Sequence, residues 1–126
     1  MDIKDIVAVS GLPGLYKLIS NRNNGLIVED LTSGKSRFLS VRKYQFTPLE
    51  SVGVYTNEDT VELKEILENI NLEKERLQLP DSGESSKDFF LYFEKILPNY
   101  DKDRVQLSDI KKIVKWFKFL QTLETK

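Results

Sequence analysis

Cysteine and histidine are both absent from the 126 residues of this chain. Their absence excludes a disulfide scaffold, thiolate or imidazole metal sites, cysteine proteases and any Ser-His-Asp triad. Long apolar runs are missing as well. The run Ile6–Val9 stops at Ser10 and Phe89–Phe93 begins only after Asp88, so neither approaches the roughly 20 residues of a bilayer-spanning helix. The first residues, Met1-Asp2-Ile3-Lys4-Asp5, carry acids where a signal peptide needs net positive charge, and a cytoplasmic location is the expectation. Charge of one sign is not in excess. With 19 Lys+Arg against 20 Asp+Glu the net charge is −1, which argues against the uniformly basic surface of a general nucleic-acid binder.

What is present describes a soluble, globular chain: 40% apolar and 31% charged residues, in a length that suits one domain or two small ones. The near-neutral total hides segregation. Residues 1–56 hold 7 basic and 5 acidic side chains, residues 57–86 hold 3 and 9, and residues 87–126 hold 9 and 6. The middle of the chain is therefore strongly acidic and the end basic.

Residues 1–58 are punctuated like a small antiparallel β domain. Ser10-Gly11-Leu12-Pro13-Gly14 is a turn, and Asn23-Asn24-Gly25 carries residues that tolerate the positive φ of tight hairpins. Thr32-Ser33-Gly34-Lys35 is a further turn. Between these turns, Leu15–Ser20, Leu26–Leu31 and Arg37–Val41 read as strands. Thr47-Pro48-Leu49-Glu50 reads as one helical turn, and Val52–Tyr55 as the last strand. Short strands at this spacing, with a helical turn before the last one, suggest by analogy of layout a small, partly open Tudor-like barrel.

From residue 59 the pattern becomes helical, which makes the whole chain α+β. Asn57-Glu58-Asp59-Thr60 supplies caps and negative charge for a helix expected over Val61–Leu77, with Leu63, Ile66, Leu67 and Ile70 as its apolar stripe; residues 59–79 form a connecting acidic helix. Residues 80–86 are the linker candidate. Residues 87–126 make a C-terminal helical domain. Ser86 is expected to cap its first helix, whose face holds Phe89, Phe93 and Ile96 with Phe90 and Leu97 beside them, and Pro98-Asn99 ends it. Ser108 is expected to cap the second, with Ile110, Ile113, Val114, Phe117 and Leu120 buried and Trp116, Phe119 and Leu123 widening the stripe.

Several patterns suggest chemistry. Asn99-Tyr100-Asp101-Lys102-Asp103 resembles a calcium loop, but counted from Asn99 the sixth position is Arg104 and the twelfth Ile110, and counted from Asp101 they are Gln106 and Lys112. Neither register supplies the glycine and the bidentate glutamate. Gly11-Leu12-Pro13-Gly14 lacks the Gly-Lys-Ser/Thr of a phosphate loop. Glu62, Glu65 and Glu68 lie along one helix face, whereas glycosidase-type acid–base work needs carboxyls facing across a cleft. The basic residues are more suggestive. Lys111, Lys112, Lys115 and Lys118 on the last helix, and Arg37, Arg42 and Lys43 near the end of the β domain, could track phosphates beside Tyr44 and Tyr55 as stacking platforms. The competing explanation is an ordinary solvated helix face, or neutralisation by the acidic helix. The rings of Phe89, Phe90, Tyr92, Phe93, Trp116, Phe117 and Phe119 suit a small helical core, although two helices cannot bury all seven.

Four groups of segments carry a resemblance: Met1-Asp2-Ile3-Lys4-Asp5-Ile6; Ser10-Gly11-Leu12-Pro13-Gly14-Leu15-Tyr16-Lys17-Leu18-Ile19-Ser20; Val54-Tyr55-Thr56 with Leu63-Lys64-Glu65; and Ser108-Asp109-Ile110-Lys111-Lys112 with Trp116. Over nearly the whole chain they resemble an uncharacterised small protein family of Bacteroidetes. The resemblance implies a cytoplasmic bacterial protein with a Tudor-like front half and a helical back half, and it carries no catalytic residues. The expectation is a non-enzymatic binding or adaptor protein with a protein partner or self-association, no cofactor, no metal and no membrane. Nucleic-acid or ribosome association through the basic residues is the second reading. An enzyme is disfavoured because no nucleophile–base pair is evident, although Asp, Glu, Lys, Ser and Tyr remain chemically available.

Overall fold

In the N-terminal part, alternating apolar residues face one core and glycine-containing turns reverse the chain. The computed structural model describes residues 2–124 other than Ser82. Met1 of the resemblance, Ser82 of the 80–86 segment, and Thr125 and Lys126 of the C-terminal domain lie outside the described residues. Five strands, β1 (Ile6–Val9), β2 (Leu15–Arg22), β3 (Gly25–Asp30), β4 (Ser36–Ser40) and β5 (Phe46–Pro48), form an antiparallel sheet in the order β4-β3-β2-β1-β5. The expected helical turn is a 3₁₀ turn over Leu49–Ser51.

Two expectations need correction. Gly53–Tyr55 (β6) does not complete this sheet; it pairs with Thr60–Glu62 (β7) in a separate two-stranded sheet. The barrel, expected small and partly open, is also cut back to an open sheet: among the described residues no ladder joins β4 to β5, because β5 is three residues long and runs straight into the 3₁₀ turn. The fold is α+β, with a five-stranded sheet, a two-stranded sheet and three helices.

The chain divides into two compact units, residues 53–118 and residues 2–52 with 119–124. In the sheet unit, Val7, Val9, Tyr16, Val28 and Leu39 form a buried cluster, with Leu12, Leu26, Tyr44 and Phe46 packed against it. Gly25 is not used for positive φ. The positive-φ residues among those described are Asp5, Gly11, Gly14 and Gly34. A Cβ at Gly25 would lie 2.3 Å from the Leu39 carbonyl oxygen and 2.6 Å from the Phe38 ring, so close approach of β4 requires glycine there. Gly14 combines φ of 78° with the Phe119 ring 2.9 Å from where its Cβ would stand. That contact accounts for one of the rings two helices could not bury.

In the other unit, β6 and β7 lead into α1 (Leu63–Glu73), followed by α2 (Ser86–Ile96) and by α3 (Leu107–Glu124) as far as Lys118, its last residues being counted with the sheet unit. The expected stripes are buried: Leu63, Ile66, Leu67 and Ile70 on α1, Phe89, Phe93 and Ile96 on α2, and Ile110, Ile113, Val114, Phe117 and Leu120 on α3. Tyr92 is buried with them. The helix ends differ from expectation. Ser85, not Ser86, caps α2, its Oγ accepting from the Asp88 N–H at 3.2 Å. At α3 the Asp109 carboxylate reaches back to accept from the Gln106 N–H at 2.9 Å, and α1 starts at Leu63 with no side-chain cap. Of residues 57–60, expected as the α1 cap, 57–59 instead turn the β6–β7 hairpin and Thr60 begins β7. The 80–86 segment lies inside this unit; Pro80 is buried and its carbonyl accepts from Lys118 Nζ at 2.8 Å. No described helix is long and apolar enough to cross a membrane.

The hairpin turn is organised by Thr56, the buried polar residue of the described core. Its Oγ1 donates to the Asp59 carbonyl and accepts from the N–H groups of Asp59 (2.9 Å) and Glu58 (3.3 Å). The Asn57 N–H donates to the Asn99 carbonyl, and the Asp101 N–H to the Tyr55 carbonyl, both at 2.9 Å. These bonds join the hairpin to the loop between α2 and α3, where Tyr100 meets Phe93 edge-on at 5.2 Å.

Thr56→Val keeps the shape but removes the acceptor of the Glu58 and Asp59 N–H groups, while the Asp59 carbonyl keeps its bond from the Thr56 N–H, and is expected to cost about 1–3 kcal/mol in denaturant titration. Leu67→Ala and Phe117→Ala each leave a cavity at a fully buried position and are expected to cost about 2–5 kcal/mol by the same measurement. A cost below about 1 kcal/mol at either site would contradict the assigned core.

Candidate functional site

On α3 the core residues recur at helical spacing, which leaves the opposite arc to polar side chains. Lys111, Lys115 and Lys118 are spaced i, i+4 and i+7 on one strip of that arc, while Lys112 lies about 60° or more round from Lys115 on the side away from the other two. The structure follows this division. Lys111, Lys115 and Lys118, with Phe89, Val114, Pro80 and Asp81, line one open cleft of about 610 Å³ that Lys112 does not line.

Each of these lysines has a distinct setting. Lys111 Nζ stands 5.5 Å from the centroid of the Phe89 ring, a cation–π contact worth about 0.5–1 kcal/mol at an exposed site. Lys118 Nζ donates to the Pro80 carbonyl and lies 3.7 Å from Asp81 Oδ1. Lys115 is exposed at the cleft margin. Neutralisation by the acidic helix is not what the ion pairs show. Among the described residues the pairs are Arg76–Glu73, Lys102–Glu94, Arg104–Asp101 and Lys118–Asp81, so no α1 carboxylate reaches an α3 lysine within 4.0 Å. The cleft thus combines three cations and the Asp81 carboxylate with an apolar wall.

The second basic group belongs to the sheet unit. Arg37 is on β4, and Arg42 and Lys43 are in the turn after it, where their N–H groups donate to Ser40 Oγ and the Ser40 carbonyl. All three side chains are exposed. The two groups fall in different units, and the proposed stacking platforms are otherwise engaged. Tyr44 packs against the sheet core, and the Tyr55 ring already carries the Arg104 guanidinium 5.0 Å from its centroid. In the 99–103 loop, the Asp101 carboxylate accepts from the Asp103 and Arg104 N–H groups, which gives it a turn-forming role.

A second, smaller cleft of about 290 Å³ is lined partly by Arg76, Leu77, Leu91, Tyr92 and Lys95. Beside it, Tyr92 Oη is the buried side-chain polar atom among the described residues that has no hydrogen-bond partner. Burial, reinforced by the Glu73 charge, pushes the Tyr92 phenol up to about 12; burial also raises Tyr16. Sequence patterning could not reveal the orphan hydroxyl, because spacing places the ring on the core face without saying what its tip meets.

Above pH 10 the unfolded phenol ionises while the folded Tyr92 resists until about pH 12, so its contribution to stability is present below pH 10 and is lost across that window. Tyr92→Phe removes both the orphan hydroxyl and the titration. The expected result is unchanged or higher stability at pH 7, within about 1 kcal/mol, and a smaller loss of stability between pH 10 and 12 in denaturant titrations.

The profile of one family, Domain of unknown function (DUF6852), matches residues 52–120, and that of another, Domain of unknown function (DUF5606), matches residues 3–49. No curated protein matches the chain. A solution NMR structure of a protein from Bacteroides vulgatus, a structural-genomics target, is similar at 34% identity and a TM-score of 0.79. The alignment covers 99% of this chain and 89% of that one.

Proposed function

The chain belongs to the Domain of unknown function (DUF6852) family, and from that premise we propose that it is a non-enzymatic binding or adaptor module whose α3 cleft receives an acidic segment of a partner protein. The observation that carries this reading is the convergence of Lys111, Lys115 and Lys118 on one cleft walled by Phe89 and Val114. Cations at the margin attract a carboxylate-bearing chain, and the apolar wall gives it surface to bury. An enzymatic reading has less support. Burial raises the phenols of Tyr16 and Tyr92 further from neutral pH, which disfavours either as a general base.

The reading includes a Tudor-like character for the sheet unit, as a small barrel left partly open. Pairing of β1 with both β2 and β5 supports it, as does the β2 irregularity between Leu18 and Ser20, which bends the strand. The second functional reading is nucleic-acid or ribosome association through Lys111, Lys112, Lys115 and Lys118 with Arg37, Arg42 and Lys43. The basic side chains favour it, while the engaged Tyr44 and Tyr55 rings and the acidic 57–86 segment oppose it.

The test compares wild type, the triple variant K111Q/K115Q/K118Q and K112Q alone, using fluorescence anisotropy with a poly-glutamate peptide and a single-stranded RNA. The triple variant is expected to lose about tenfold in peptide affinity, and K112Q to stay near wild type. RNA binding at physiological salt is expected to be weak in all three. A submicromolar RNA affinity that falls in the triple variant, with the salt slope reduced by about 0.7–0.9 for each phosphate that a lysine no longer neutralises, would establish the nucleic-acid reading instead.

A further inference from the structure

We propose that the free edge of β4 is a docking site for an acidic, extended segment of a partner protein, which adds to the sheet as a sixth strand. The proposal is independent of the α3 cleft and rests on three observations within the sheet unit.

First, β4 ends the strand order, and the β3–β4 ladder determines which of its amides are spare. The Asp30 N–H donates to the Lys35 carbonyl at 2.8 Å, and the Val41 N–H to the Asn24 carbonyl at 3.0 Å. The alternation of an antiparallel ladder then makes Val28/Arg37 and Leu26/Leu39 the bonded pairs. Ser36 and Phe38 consequently turn their N–H and C=O groups away from β3. The stretch has a definite end, because the Ser40 carbonyl is taken by the N–H groups of Lys43 and Tyr44.

Second, charge along this edge has one sign. Residues 35–43 contain Lys35, Arg37, Arg42 and Lys43 and no acidic residue, and these four side chains are exposed. Third, the two faces of β4 differ. Phe38, 47% exposed, shares a face with Ile27 directly opposite it, while Arg37 projects from the other face. A strand laid against β4 would therefore meet an aromatic ring on one face and a guanidinium on the other. Main-chain bonds to Ser36 and Phe38 would supply affinity, and alternating side chains selectivity. The segment that fits alternates apolar and acidic residues. An RNA strand could answer the charge but offers no regular donor–acceptor ladder to the two amide pairs.

Amide hydrogen exchange followed by NMR on the full chain tests this, with a capped peptide of alternating Glu and Val as the probe. Exchange at Ser36 and Phe38 is expected to slow by about tenfold at saturation, and equally in K111Q/K115Q/K118Q, which separates this edge from the α3 cleft. Arg37→Glu is expected to weaken peptide binding by about fivefold. Ser36→Pro, which deletes an outward N–H and leaves the β3 bonds intact, should weaken it as well; its folding is checked by thermal melting. A peptide N-methylated at alternate amides should lose the protection. If Ser36 and Phe38 exchange at unchanged rates with saturating peptide, or if the alternating Lys and Val peptide protects them equally, the proposal is overturned: the basic residues then only keep the edge unpaired. Stronger perturbation of the same amides by single-stranded RNA than by the acidic peptide would overturn it in favour of RNA.

Discussion

The hydroxyl of Thr56 is the interaction on which the helical unit is built. It bonds a carbonyl and two amides of the turn, beside the backbone bond from the Thr56 N–H to the Asp59 carbonyl at 2.7 Å, and it does so at a buried position. With that turn fixed, Tyr55 and Asn57 offer their backbone to Asp101 and Asn99, and the loop between α2 and α3 is held against the hairpin. The Tyr100 ring then seats on Phe93. Buried polar groups are costly unless paired, so one well-paired hydroxyl commits the chain to this arrangement more firmly than an apolar contact, which tolerates sliding.

The lysine cleft follows from that commitment. Once Ile110, Ile113, Val114, Phe117 and Leu120 are committed to the interior, helical geometry delivers Lys111, Lys115 and Lys118 to a common strip. Partner residues from other parts of the same unit make that strip a cleft rather than a plain solvated face. Phe89 lies beneath Lys111, and the buried Pro80 draws Lys118 across. Among the described residues, the acidic middle of the chain meets these lysines in the ion pair of Asp81 with Lys118, and Lys111 and Lys115 stay exposed.

In the sheet unit the governing constraint is closeness of backbones. Gly25 lets Leu39 and Phe38 approach β3, and the same approach pushes the Phe38 ring over the glycine and partly into solvent. The sheet remains open at β4 because β5 is spent on pairing with β1 and on entering the 3₁₀ turn. An open edge rich in Lys and Arg resists pairing with another copy of itself, yet suits a segment of opposite charge.

The sequence by itself determined the parts governed by local periodicity and covalent identity. The helical stripes, the turns at Gly11–Gly14 and Gly34, the helical turn after Pro48 and the lack of Cys and His chemistry were all legible, because spacing along one element decides which face is apolar. Tertiary structure decided what short strands pair with. Phe46–Pro48 and Thr60–Glu62 are too short for any periodicity, and Gly53–Tyr55 looks the same whether it closes a sheet or opens a hairpin. It also decided the caps: Asp109 reaching back and Ser85 in place of Ser86 depend on where the chain arrives, not on which residue could serve. Of the candidate site, the lysine spacing on α3 was legible, although Lys112 was grouped with the other three and the cleft leaves it out. The cleft, the pairing of Lys118 with Pro80 and Asp81, and the engagement of Tyr44 and Tyr55 were not, since each joins residues distant in sequence whose meeting only the folded chain specifies.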